Sequence, residues 1–329
     1  MNRATATKNS SSLDGPRVLT VSALTALLFL AIVLAASNVS GQTTTAARRK
    51  TFATPQEAGN SLIDAAEKYD VDRLKELLGP DSYDIIHTGE PARDSEKAKE
   101  FAALGRTKLL INLDNKTRAI LLVGEDEWPF PIPIVKSGNS WFFDTRTGRQ
   151  ELLFRRIGRN ELDAIQICRG YVEAQHEYAL LKKVNGVNQY AQRIVSADGE
   201  QNGLAWKNAD GTWDGPIGEK VAAAIARGYS RGTEPYHGYF FKVLKGQGPA
   251  APLGELDFVV KGVMIGGFAL LASPAQYRNT GVQTFMVSHD GMVYQKDLGP
   301  ETLAIFQSID RFNPDKTWTP VVERAPLIP

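Results

Sequence analysis

The chain has 329 residues, with 38 lysines and arginines against 37 aspartates and glutamates, and a formal net charge of +1. That balance gives no electrostatic reason to expect a nucleic acid or other acidic polymer as partner. With 43% hydrophobic residues it can bury real cores, and its length suits two domains plus a leader. The single cysteine, Cys168, excludes an internal disulfide and a cysteine-based zinc site.

Residues 18–36, VLTVSALTALLFLAIVLAA, are uncharged and follow Arg3, Lys8 and Arg17. Small residues come next, with Ala35 and Ser37, or Val39 and Gly41, at the spacing of signal-peptidase sites. Residues 1–41 are therefore expected to be a cleaved export signal or a retained N-terminal membrane anchor. An apolar helix of this length would span about 28 Å. In both cases the bulk of the chain is exported, to the periplasm or the outer face of the inner membrane, or is secreted. Residues 42–53 form a polar linker.

Folded structure is expected from Thr54-Pro55, where threonine caps a helix and proline suits its first turn. A first domain over 54–156 begins with three helices, near 54–69, 72–78 and 94–104, the last ending at Gly105. Strands then take over, with turns expected at Asp114-Asn115, at 124–127 and at 137–139, giving a four-strand antiparallel meander.

In WPFPIPI, residues 128–134, prolines stand at alternate positions, so all the missing donors lie along one side. The expectation is an edge strand, or one whose proline side faces no ladder partner, with polyproline II as the competing reading. The other face then carries Trp128, Phe130, Ile132 and Ile134. On the next strand the inward set is either Trp141 with Phe143 or Phe142 alone. If the meander curves over the helices, Trp128, Phe130, Ile132, Trp141 and Phe143 are the candidate lining of an apolar ligand pocket, with Tyr83 or His87 as its polar minority. The competing outcome is that they simply fill a core.

Between Asp144 and Asp163 five arginines (Arg146, Arg149, Arg155, Arg156, Arg159) face four acidic residues, far short of a phosphate-binding stripe. The stretch reads as the junction of two domains, whose charges solvate it or pair locally. Asn160 with Asp163 looks like the cap of a long helix to about residue 183, with Leu162, Ile165, Cys168, Val172 and Ala179 on its inner face. The second domain, 157–322, continues through turn signals at 197–218 anchored by Trp206 and Trp213. A short helix over 219–227 follows. Strands are expected at 236–244, at 257–273 with a break near Gly262, and at 282–288. The last returns through an Asp290-Gly291 turn, and a closing helix covers 300–309. Residues 323–329 are a tail. The fold class is α+β: two domains, each with helices followed by an antiparallel meander.

The order of elements in the first half resembles the cone fold of nuclear transport factor 2. The second half, with TGVQTFMVSHDGMVY, resembles the globular part of type IV pilin-like proteins. The phrases WPFPIPIVKSGNSWFFDTRTGR, RRIGRNELDAIQICRGYVEAQHEYA, PYHGYFFKVL and GGFALLASPAQYRNTGVQTFMVSHDGMVYQKDLG are similar to the bacterial domain-of-unknown-function family 2950. That resemblance implies an exported bacterial protein and supplies no catalytic residues.

Gly228-Tyr229-Ser230-Arg231-Gly232 fits the G-x-S-x-G pattern, but a helix precedes it where the nucleophile elbow needs a strand. The four histidines (His87, His176, His237, His289) lack metal-ligand spacing, and the Glu125-Asp126-Glu127 turn lacks a calcium loop. No catalytic residue, metal or cofactor is expected. The expected function is non-catalytic binding of a small apolar ligand or an envelope protein; an envelope hydrolase with a dispersed site is the alternative.

Overall fold

Thr54 caps the first helix as its sequence requires: its hydroxyl accepts the Glu57 amide at 3.2 Å, and Pro55 fills the first turn, where a missing donor costs nothing. The computed structural model describes residues 49–87, 89, 91–218 and 235–322. The leader, most of the linker, the helix expected over 219–227, the G-x-S-x-G stretch and the tail lie outside the described residues. The described residues group as one compact unit of α+β class, in which the buried side chains form two clusters.

The first cluster lies between helices and one face of a sheet. The helices are α1 (Pro55–Glu67), α2 (Val71–Leu78), α3 (Tyr83–Ile86) and α4 (Pro91–Thr107), with a 3-10 turn at Pro80–Ser82. The helix α4 runs past Gly105, where a stop was expected. A β-carbon at that position would overlap the Ile63 side chain, so Gly105 permits the close approach of α4 to α1.

The sheet comprises β1 (Leu109–Asn115), β2 (Arg118–Val123), β3 (Trp128–Pro129), β4 (Ile134–Ser137) and β5 (Ser140–Phe143), in the order β1-β2-β4-β5, with β3 also pairing β2. The first turn falls at Lys116-Thr117 rather than Asp114-Asn115. The Asn115 side chain accepts both the Thr117 amide and its hydroxyl at 2.9 Å and draws the turn two residues on. Ala119, Ile134 and Phe143 form one fully buried row across three strands. That register sends Trp141 inward with Phe143. Phe142 points outward, under the Arg49 guanidinium at 4.8 Å.

Only the ends of the proline segment are strand: β3 pairs β2 alone and lies at an edge, whereas Ile134 begins β4, which lies between β2 and β5. The ladder accepts it by breaking. Pro129 pairs with Leu122 and Ile134 with Ala119, so four residues of one chain stand opposite two of the other. Pro131 and Pro133 occupy the resulting bulge, where no ladder donor is required.

One helix, α5 (Thr145–Leu181), then passes from the first cluster to the second. Its cap is Asp144, which accepts the Thr147 hydroxyl at 2.6 Å, and not Asn160. Asn160 is buried in mid-helix and donates to the Thr280 carbonyl at 2.9 Å. The expected domain boundary at 156/157 therefore falls inside a continuous helix. Its arginines do not pair only locally: Arg149 forks onto Asp84 on the first side, and Arg156 bonds Asn279 on the second. Leu162 faces solvent instead of the core. Ala164, Cys168, Tyr171, Val172, Gln175 and Tyr178 make the buried face.

The second half opens with a hairpin of β6 (Lys183–Val184) and β7 (Val187–Asn188). After β8 (Arg193–Val195), the region expected to be mostly turns holds β9 (Gly203–Lys207) and β10 (Trp213–Asp214); β9 is almost wholly buried and pairs β8 in parallel. Next come β11 (Tyr239–Leu244), β12 (Gly246–Gln247) paired with β13 (Leu256–Asp257), and a hairpin of β14 (Val259–Val260) and β15 (Val263–Met264). The chain closes with β16 (Ala269–Pro274), β17 (Gln283–Ser288), β18 (Val293–Asp297), α6 (Thr302–Ser308) and β19 (Thr319–Pro320).

The main sheet runs β11-β16-β17-β18-β19. Lys242, Leu271, Met286 and Tyr294 form a row on the face toward α6, where Lys242 bonds the Gln307 carbonyl. Tyr239 and Phe241 lie on the opposite face, against α5. Every residue of β16 is buried, as cover on both faces demands.

Candidate functional site

An apolar cleft of about 380 Å³ opens in the first half, between the helical layer and the proline bulge. Leu62, Ala66, Tyr69, Leu74 and Leu78 come from α1, α2 and the bend between them, and Ile85 and Ile86 from α3. The helix α4 contributes Asp94, Lys97, Ala98 and Phe101, which are neighbours at helical spacing. Leu152, near the start of α5, closes one side.

The opposite wall is the bulge itself: Trp128, Phe130, Pro131 and Ile132. A regular strand sends alternate residues to opposite faces, so it could not point Phe130, Pro131 and Ile132 into one space. The broken ladder does so. The helix α5 packs on this wall at Gly148, where a β-carbon would lie 2.9 Å from the Ile132 Cα, too close for any side chain.

Of the five residues expected to line a pocket, Trp128, Phe130 and Ile132 do so. Trp141 and Phe143 are placed in the core. Phe143 meets Phe130 edge-on at 6.2 Å, and Phe130 in turn packs on Phe101 at 5.1 Å, so Phe143 supports the wall from behind. Trp128, 44% exposed, stands at the mouth with the Arg155 guanidinium over its ring. Tyr69 belongs to the lining in place of the expected Tyr83 and His87. The His87 ring lies 4.7 Å from that of Tyr83 and 6.4 Å from that of Tyr69.

Tyr69 donates to the Ile86 carbonyl at 3.4 Å, and its hydroxyl pKa is raised, first by burial and then by the Asp94 charge. The contributions of α4 were readable in principle, since Asp94, Ala98 and Phe101 share a face. Leu152 carried no signal, because its position depends on α5 starting at residue 145.

Other chemistry-bearing groups are accounted for elsewhere. Cys168 is buried, and burial pushes its thiol up to about 12, which leaves it a packing residue. Glu127 of the acidic turn pairs with Lys108 at 2.9 Å. His237 has its Nδ1 2.6 Å from Asp163 on α5 and holds a left-handed φ of 48°. A second cavity, of about 410 Å³, lies beside Met286 and Trp318; its charged members, Asp310 and Arg311, are committed to Lys242 and Asp257. Among the described residues no cluster suited to a metal ion is found, and no helix is long and apolar enough to cross a membrane.

Fold and site together define an α+β protein with two cores and an apolar cleft, between helices and an interrupted strand, in its N-terminal half. A family model described as protein of unknown function, DUF2950, matches residues 49–321, and the chain belongs to that family. No curated protein and no solved structure matches it. The cone-like and pilin-like likenesses thus remain likenesses of element order.

Proposed function

We propose that the protein is exported to the bacterial envelope and acts there as a non-catalytic binder that takes a small apolar ligand into the cleft. The observation that carries this is the lining: four aromatic residues (Tyr69, Phe101, Trp128, Phe130) and a run of aliphatic ones, brought to one space by the helical layer and by a bulge that breaks a strand. Its volume falls at the lower end of the roughly 300–1,000 Å³ of small-molecule sites. The uncharged leader over 18–36 supports export. The test is binding of a neutral fluorescent probe, N-phenyl-1-naphthylamine, to the purified protein. Binding with micromolar affinity, lost in Ala98→Phe while the melting temperature holds, supports the reading. Unchanged binding in that variant would place the probe elsewhere and leave a protein partner as the surviving role.

An envelope hydrolase is the second reading, and the His237–Asp163 pair is the observation in its favour. A carboxylate on Nδ1 orients an imidazole for general-base work at Nε2. Among the described residues, however, Nε2 has no hydrogen-bonded hydroxyl or thiol to activate. Turnover of an ester, peptide or glycoside substrate that disappears in His237→Asn would establish this reading over the first.

A further inference from the structure

The cleft is chemically ordered from end to end, and the order lies along one helix. Asp94 and Lys97 of α4 sit at its polar end with Tyr69; Ala98 follows, and Phe101 meets Phe130 about 6 Å further along the helix axis than Lys97. Only two lining residues carry charge, and they differ in availability. Asp94 is 8% exposed and already engaged within the protein. Lys97 is exposed at the rim and, among the described residues, makes no ion pair or hydrogen bond. An ammonium on a flexible stem beside an apolar trough can keep its charge in water while its methylenes extend the apolar wall.

Accepting that the cleft binds an apolar ligand, we infer that the ligand is a single-chain amphiphile with an anionic head, its chain running toward Phe101 and Phe130 and its carboxylate or phosphate meeting Lys97. A cationic head would have to approach Asp94, which is buried and occupied. A neutral ligand would leave Lys97 unused. The cavity volume admits one chain rather than the two of a membrane diacyl lipid.

Displacement of bound N-phenyl-1-naphthylamine by three competitors of equal chain length tests this: decanoate, decanol and decyltrimethylammonium. Decanoate should compete about two- to five-fold better than decanol, the size of one exposed ion contact. The preference should vanish in Lys97→Ala, persist in Lys97→Arg, and turn toward decyltrimethylammonium in Lys97→Glu. Lys97 is exposed, so these variants keep the fold. Equal competition by all three, or a preference for decanoate that survives in Lys97→Ala, overturns the head-group assignment and leaves apolar binding standing. Failure of the neutral probe to bind at all removes the binding role itself, and this inference with it.

Discussion

The two halves bury their sheets differently. In the first, β2 alternates between buried and half-buried residues, because helices cover only one face. In the second, β16 is buried throughout, between α5 on one side and α6 with the segment after it on the other. The segments RAILLV and ALLASP are nearly equally apolar, yet one is half covered and the other wholly so. The covered sheet packs close around Leu270, Leu271 and Phe285, all fully buried. The one-sided sheet must fit a curved helical layer to an interrupted strand, and the mismatch between them is the cleft.

This contrast can be broken most directly in the second core. Phe285→Ala should cost about 3–5 kcal/mol, through lost burial plus an unfilled cavity. Because α5 abuts the first half through Thr145 and Gly148 and supplies the second cluster with Cys168 and Tyr171, urea unfolding should stay a single transition with a lower midpoint; two separate midpoints would show that the halves melt independently. Next in size, Gly148→Ala forces a methyl group against the Ile132 backbone and should cost about 1–3 kcal/mol. It should also weaken probe binding, since it displaces the cleft wall; a variant as stable as the wild type would show that the wall can yield.

Phe101→Ala, at a half-buried position facing an existing space, should cost only roughly 1–2 kcal/mol. A loss as large as that of Phe285→Ala would mean that the cleft is packed like a core. The smallest effect belongs to the staple between α5 and the first half. The Arg149 guanidinium, hydrogen-bonded to Asp84, holds that carboxyl below its ordinary value of 3.8. A lowered folded-state value means that the pair stabilises above about pH 4 and loses its contribution as pH falls below that. For an exposed pair this is about 0.2–1 kcal/mol. Arg149→Ala should therefore lower the melting temperature slightly at pH 7 and make no difference near pH 2, which thermal scans at both values would check.

Local chemistry was legible wherever a short stretch contains its own cause. The Thr54-Pro55 cap, the Asp290-Gly291 hairpin and the break at Gly262 depend on neighbours within a few residues, and each is found where the residues place it. The α+β class followed from the succession of such stretches, and family membership from phrases spread over most of the chain. The inward set Trp128, Phe130 and Ile132 was readable from proline alternation, though the edge is confined to Trp128–Pro129 and the other two prolines mark a bulge.

Tertiary structure alone decided the rest. Whether Asn160 begins a helix or sits inside one depends on the Thr280 carbonyl, 120 residues away, which takes its side chain. Whether Phe142 or the pair Trp141 and Phe143 turns inward depends on the register with Ile134, and a slip of one residue would reverse it. The cleft exists because α4, the bulge and the start of α5 converge. Their distances are set by Gly105 against Ile63 and by Gly148 against Ile132. In the sequence those two glycines look like helix breakers. In the fold they are contact points, because only the packed partner shows what the missing side chain makes room for.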